Sequence, residues 1–335
     1  MHRSRSAQSL CAARLSSIAG ICLLTGCLAV LLGAVQLPAD QSESSDSHHY
    51  YRRYQATAYI SLLSVTIFSR SNVGFGYAKA DEEVFPHRRN ISLQFVSGSL
   101  PERAHGLNRF GFIQENIRER DRICAEADYF GLITASGEES LSQAKAALDA
   151  KSEKTAFVAA QASINPETAR YSIRHLDLSS SYRGANAEQL LGQVRDSFHH
   201  AEEGQSEHRQ ELHGSAMGTF LYSVREAMMS PANKLETRFI YNGKMFSMLA
   251  EKREDHKAGL ELRNAGLIDN PSSVLMLTGA IRNEKTNEVT NFRLWFDRTS
   301  PDLLPLRFEF RPKSYLRLVF QAVEDSSMAD LYFSK

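Results

Sequence analysis

The sequence predicts a β-dominated α+β protein: a curved antiparallel sheet, half-barrel or sandwich-like, with a few short helices packed on it and one N-terminal membrane helix. Three observations carry that expectation. The last hundred residues run as consecutive segments of alternating apolar and polar side chains, the pattern of half-buried strands. Asn242-Gly243 separates two such segments, and a type I′ hairpin turn favours that dipeptide because both its central residues need positive φ. Helical spacing shows only in short segments, near 138–150, 186–203 and 215–229.

Composition supports a folded body. Of 335 residues, 42% are hydrophobic and 23% charged, enough apolar material to bury a core. The formal net charge is zero; setting aside Arg3, Arg5 and Arg14 leaves 36 basic against 39 acidic side chains. That balance gives no global attraction for nucleic acid. No cofactor is implied.

Residues 1–39 read as a signal peptide or signal anchor. No charged side chain occurs from Leu15 to Ala39, and the start is basic and free of acids. Residues 15–37 as a helix would extend about 34 Å, close to the thickness of a bilayer's hydrocarbon core. Three fates stay open. An uncleaved anchor fits the length and the positive-inside rule. Cleavage after Ala39 is a second, although Leu37-Pro38-Ala39 lacks the usual small residue two positions earlier. Third, Leu24-Thr25-Gly26-Cys27 is similar to the lipobox at which bacterial lipoproteins are cut and lipidated, although an apolar stretch follows Cys27. Each fate places the body outside the cytoplasm, in the periplasm or cell envelope, with the membrane as a partner. Cys11, Cys22 and Cys27 belong to this segment, so Cys124 stands alone in the body and no intrachain disulfide staples it.

Residues 40–54 read as a polar spacer, and 55–325 as the exported β-rich domain. Two strands are expected around Ser69-Arg70-Ser71-Asn72, with Gly74 and Gly76 marking close packing or a bulge in the second. Ile91–Val96 adds a strand, and the region 109–136 two more, the first of which also fits a helical period. The 138–150 segment is a short amphipathic helix. Strands resume at 155–164 and, after an Asn165-Pro166 turn, at 169–178. Leu190, Leu191, Val194 and Phe198 line one side of the second helix. In the third, Ser215 is the expected N-cap. Toward the end, Phe292, Leu294 and Phe296 should share a face with Leu306, Phe308 and Phe310, leaving Arg293, Asp297, Arg307, Glu309 and Arg311 on the wet side.

Trp295 and Asp297 on one strand, then Leu304, Pro305 and Arg307 on the next, resemble a group of exported bacterial proteins known only as a domain of unknown function. The early strand pair, with its glycines, is similar too, and the likeness covers about 150 residues. It implies an architecture like that of lipoprotein-carrier half-barrels, with helices plugging the concave side. It implies no catalytic residue.

Candidate chemistry is sparse. The stretch 199–213 holds His199, His200, His208 and His213 among carboxylates, so metal binding through His199, His208 and His213 is conceivable. The last two are five apart, however, whereas a helical pair sharing a face needs four; a solvated linker is the simpler reading. His175 lies near Asp177 and serines, but no GxSxG elbow occurs, and a solvent-facing strand histidine accounts for it. Cys124 reads as a buried small hydrophobe. Phe220, Leu221, Val224 and Met228 give the third helix an adaptable apolar face, and together with Trp295 they are the candidate ligand-binding residues. The expectation is a non-enzymatic envelope protein binding an apolar ligand such as a lipid, or a partner protein, at the membrane surface. The alternative is an exported hydrolase or metal-dependent enzyme using 199–213.

Overall fold

The structure, a computed structural model, describes residues 46–62, 65–104, 108–121, 123–134, 155–165, 170–180, 187–200, 208–211, 218–313 and 315–323. Residues 1–39, including Cys27, and the segment 138–150 lie outside the described residues. Among those described, no helix is long and apolar enough to cross a membrane.

Consecutive hairpins build one continuous antiparallel sheet. β1 (Asp46–Leu62), β2 (Val65–Val84), β3 (Arg88–Ser99), β4 (Phe110–Arg120), β5 (Ile123–Thr134), β6 (Thr155–Asn165), β7 (Arg170–Ser180) and β8 (His208–Glu211) neighbour one another in turn. β9 (Lys234–Tyr241), β10 (Lys244–Glu254), β11 (Val274–Asn283), β12 (Val289–Asp297), β13 (Arg307–Lys313) and β14 (Leu316–Val323) form a second run. Pairing of β1 with β14, from Arg53↔Val323 to Ile60↔Leu316, joins the two runs into a 14-stranded sheet. The outer strands β8 and β9 share no ladder, so the sheet is unclosed.

The hairpin at Asn242-Gly243 forms as its dipeptide requires: φ is 47° and 71°, and Tyr241 pairs with Lys244. The early pair differs from expectation. Ser69–Asn72 is no turn but a bulge within β2, where the register jumps from Ala58↔Arg70 to Ala56↔Gly74 and Asn72 takes φ 56°. Turn-favouring residues serve a bulge here because it, too, uses left-handed backbone. Beyond it, a Cβ on Gly74 would lie 2.5 Å from Gly98 O, so the ladder with β3 needs a glycine there. β1 begins at Asp46, so part of the segment read as spacer is strand. β4 is extended rather than helical, and β8 occupies part of the stretch read as a linker.

Helix α1 (Ala187–His200) covers the convex face. Leu190, Leu191, Val194 and Phe198 pack on Phe75, Val96, Phe112, Leu132 and Phe157, each such side chain worth about 1.5–3 kcal/mol when fully buried. α2 (Phe220–Met229) lies inside the curve: its residues meet Glu82 of β2 and Glu115 of β4, yet also share a core with Met248, Leu277 and Leu294 of β10–β12. Thr219, not Ser215, is its N-cap residue. A third helix, α3 (His256–Asn264), was not expected. Asp255 caps it, accepting the Ala258 N–H at 3.0 Å, and Ala258 and Leu262 cover Val274, Met276 and Trp295 on the convex face. Phe308 and Phe310 do face inward with Phe292 and Leu294. Leu306 does not: it joins Trp295 beneath α3, because it precedes the β13 ladder, where the strand is still turning.

Candidate functional site

The helix inside the sheet is held at both ends by opposite charge. β4 alternates Ile113, Glu115, Ile117 and Glu119 on its inward face. Glu115, 0% exposed, accepts the N–H groups of Leu221 and Tyr222 at 2.9 Å each, and the Thr219 hydroxyl. A helix leaves its first N–H groups unpaired and carries partial positive charge there, so a carboxylate is the complementary group. Burial nevertheless outweighs these donors and pushes the Glu115 carboxyl up to about 7. At the other end the Lys252 ammonium donates to Ser230 O and, at 3.4 Å, to Met228 O, satisfying carbonyls that the helix cannot. Burial lowers the Lys252 pKa.

Between these ends, Tyr222 Oη donates to Glu119 at 2.9 Å, Arg89 lies 3.5 Å from the same carboxylate, and Arg225 pairs with Glu82 across the interior. The ion pair is almost fully buried, with 9% and 8% side-chain exposure. Glu226 is raised, chiefly by burial and then by the nearby Glu119. Sequence reasoning missed this network. Its signal was the period-two placement of two glutamates among isoleucines in β4, a polar intrusion on a core face that only a donor-rich partner can satisfy.

The sheet's free ends meet without strand pairing. The β9–β10 turn reaches the inward side of β5 and β7: Tyr129 and Tyr241 rings lie 5.2 Å apart, Gly243 N–H donates to Tyr171 Oη at 2.8 Å, and His175 Nε2 is 2.7 Å from Asn242 Oδ1. His175 therefore faces inward to a structural partner, not to solvent.

Beside the C-terminal end of α2 the interior opens into a groove of about 910 Å³. Met228, Leu275, Phe296 and Leu303 make its apolar floor and belong to, or pack on, the core beneath α2. Lys252, Glu254 and Arg298 stand on its walls, the last two 3.4 Å apart. A second hollow, about 580 Å³, lies on the convex face between α1 and the sheet, with Gln114, Asp128, Phe130, Arg174, Arg195, Phe198 and His199 in its walls.

Of the predicted ligand-binding residues, Phe220 and Val224 pack on the interior core, Leu221 lies on the same helix, and Met228 reaches the groove floor. Trp295 is not brought to them. It is buried on the opposite face, where its indole N–H donates to Asp255 at 2.9 Å and Arg307 stacks 5.7 Å from the ring centre. The parity of β12 explains this: Leu294 and Phe296 point in, so Trp295 points out. Leu304 and Pro305 use their carbonyls to receive Arg52 and the Tyr54 hydroxyl, so these residues bind β1 to the chain before β13. His199 lies at the end of α1, His208 begins β8, and His213 is outside the described residues. Among the described residues, no group of three metal-ligating side chains is gathered. Cys124 is buried, which pushes its thiol up to about 12, too high for a nucleophile at neutral pH.

No protein-family profile and no curated protein matches this chain. Among solved structures, it is similar to the crystal structure of a β-barrel-like protein of domain of unknown function DUF1849 from Brucella abortus, with a TM-score of 0.44 and 8% sequence identity. That likeness covers 82% of this chain and 95% of the other.

Proposed function

We propose that this chain is a non-enzymatic envelope protein whose β-rich body binds an amphipathic molecule in the groove beside the end of α2. One observation supports the reading: half-buried Leu275 and Leu303 and exposed Met229 line the groove directly over the core around α2, between polar walls. The interior proper is occupied by α2 and by the β9–β10 turn, so the ligand reading applies to the groove and not to the space inside the curve. The side chains that elsewhere do chemistry have structural duties. Glu115 and Lys252 hold the ends of α2, Glu82 and Arg225 neutralise each other, and His175 tethers a turn. Arg298, half exposed on the wall, suits a ligand with an anionic head.

The test is solvent extraction of the purified full chain followed by mass spectrometry, alongside titration with a fluorescent fatty acid. Leu275→Trp, which fills the floor, should abolish the stoichiometric ligand and the titratable binding while leaving the fold intact. Because the variant keeps the apolar leader, the difference isolates the groove. If wild type carries no amphiphile and binds the probe no better than the variant, the reading fails.

A further inference from the structure

The β1–β2 hairpin outruns its neighbours. The β2–β3 ladder ends at Gly74↔Ser99, and a last backbone bond links Leu100 N–H to Val73 O. Val65–Asn72 thus continue beyond β3, a projection of about 25 Å at the usual strand rise. On the other side, β14 accompanies β1 as far as Ile60↔Leu316, and the β13–β14 turn, with Lys313↔Leu316 in register, sits beside the projecting strands.

The projection is apolar where a lone hairpin should be polar. Ile67 is 63% exposed and its neighbour Phe68 47%. Ile67 is the extra residue of a bulge between the pairs Ile60↔Phe68 and Ser61↔Thr66, so the hairpin bends here and presents two adjacent bulky apolar groups to solvent. Phe68 pairs with Ile60, which adds to the same surface. Among the described residues no core cluster includes Ile67 or Phe68, and exposed apolar clusters of this kind mark contact with another phase or molecule.

Charge narrows the choice. There is no Asp or Glu between Asp46 and Asp81, nor between Glu309 and Glu324, while Arg70 and Arg311 occur within these stretches at this end of the sheet; Arg317, also there, is paired with Glu309 at 3.3 Å. Arg317 stacks 4.3 Å from the centre of the Tyr59 ring, and Tyr315 lies in the adjacent turn. An apolar tip, a collar of arginines and flanking tyrosines are the parts with which proteins grip a lipid interface.

We propose that this hairpin tip docks on an anionic phospholipid surface, with Ile67 and Phe68 entering the boundary between headgroups and acyl chains and Arg70 and Arg311 facing the phosphates. The site shares no residue with the groove. β1 has 17 residues, so its tip lies some 55 Å along the strand from Asp46. The depth required is shallow, and unpaired strand edges at that level still meet water.

The experiment places a reporter on the tip of the full chain, Phe68→Trp, and mixes it with vesicles of brominated phosphatidylglycerol or brominated phosphatidylcholine. Wild type is the control: its single tryptophan, Trp295, is 6% exposed beneath α3 and should not be quenched. The expected result is loss of the emission contributed by the introduced indole on phosphatidylglycerol. The half-maximal lipid concentration should be about tenfold higher on phosphatidylcholine, and likewise for Phe68→Trp carrying Arg70→Gln and Arg311→Gln on phosphatidylglycerol. A reporter that stays unquenched on phosphatidylglycerol, even with the chain bound to the vesicles, overturns the proposal and leaves the tip as a protein-contact surface. Equal quenching on both lipids overturns the choice of an anionic surface.

Discussion

Glu115 accepts the backbone N–H of Tyr222 at 2.9 Å, so the middle of β4 is fastened to the first turn of a helix 107 residues further along the chain. This bond makes the interior pH-dependent. Burial raises the Glu115 carboxyl from 4.5 to about 7. A group raised in the folded state contributes stability that is fully present below its unfolded value and is lost as pH rises through its folded value. Wild type should therefore lose on the order of 3 kcal/mol between pH 4.5 and 7.5 from this group. Cys124, Tyr129 and Tyr241 are the other titratable neighbours, and all are held neutral there by burial. Urea midpoints across that range, compared with Glu115→Gln, check the expectation: the variant should lack this component of the slope.

Glu82 and Arg225 give a second measurement. Removing one member of a buried pair strands the other charge, at a cost of about 3–5 kcal/mol, whereas removing both can be nearly neutral. Arg225→Met alone should lower stability by that amount, and Glu82→Leu with Arg225→Met should recover most of it. A double-mutant cycle by denaturant titration decides. Near-additive losses would mean that solvent reaches the pair.

Much of the sheet is legible in the sequence. Asn242-Gly243 demanded a tight turn, and Phe292, Leu294 and Phe296 announced an inward face. Leu190, Leu191, Val194 and Phe198 marked α1 by spacing alone. What stayed hidden depended on partners remote in sequence. α3 buries little besides Ala258 and Leu262, too few apolar residues for a periodic signal, although Asp255 was a fair start signal. The four residues of β8 have no strand composition of their own; the β7 edge imposes their conformation. Strand parity sets Trp295 opposite Leu294 and Phe296, away from the α2 residues, but nothing local says that α3 covers that side. The candidate groove was partly visible through Met228, but Leu275, Phe296 and Leu303 converge on it from three separate segments.

Trp295 and Asp255 offer a spectroscopic check on the convex side. The carboxylate caps α3 through Ala258 N–H and accepts the indole N–H as well. Burial works to raise Asp255, yet these donors hold its pKa below the usual range. Asp255→Ala removes a cap and orphans the indole, so about 1–2 kcal/mol of stability should be lost. The emission of the single tryptophan should also shift to the red as α3 frays over it. A variant with unchanged emission would show that the helix is held by Leu262 packing alone.

The unclosed sheet makes the last prediction. Barrels remove their free edges by strand pairing, but here the ends are joined by side chains, with Tyr171 receiving Gly243 N–H and His175 facing Asn242. Two hydrogen bonds at a turn contribute about 0.5–1.5 kcal/mol each, whereas the ladders and the core around α2 are untouched by their loss. His175→Ala with Tyr171→Phe should therefore leave the global unfolding free energy within about 3 kcal/mol of wild type. Amide exchange should accelerate in β9 and in the β9–β10 turn, while β2–β4 keep wild-type protection, because opening at this seam is local. Faster exchange throughout β2–β4 would instead mean that the seam governs the whole curl, and that α2 depends on it for its place inside.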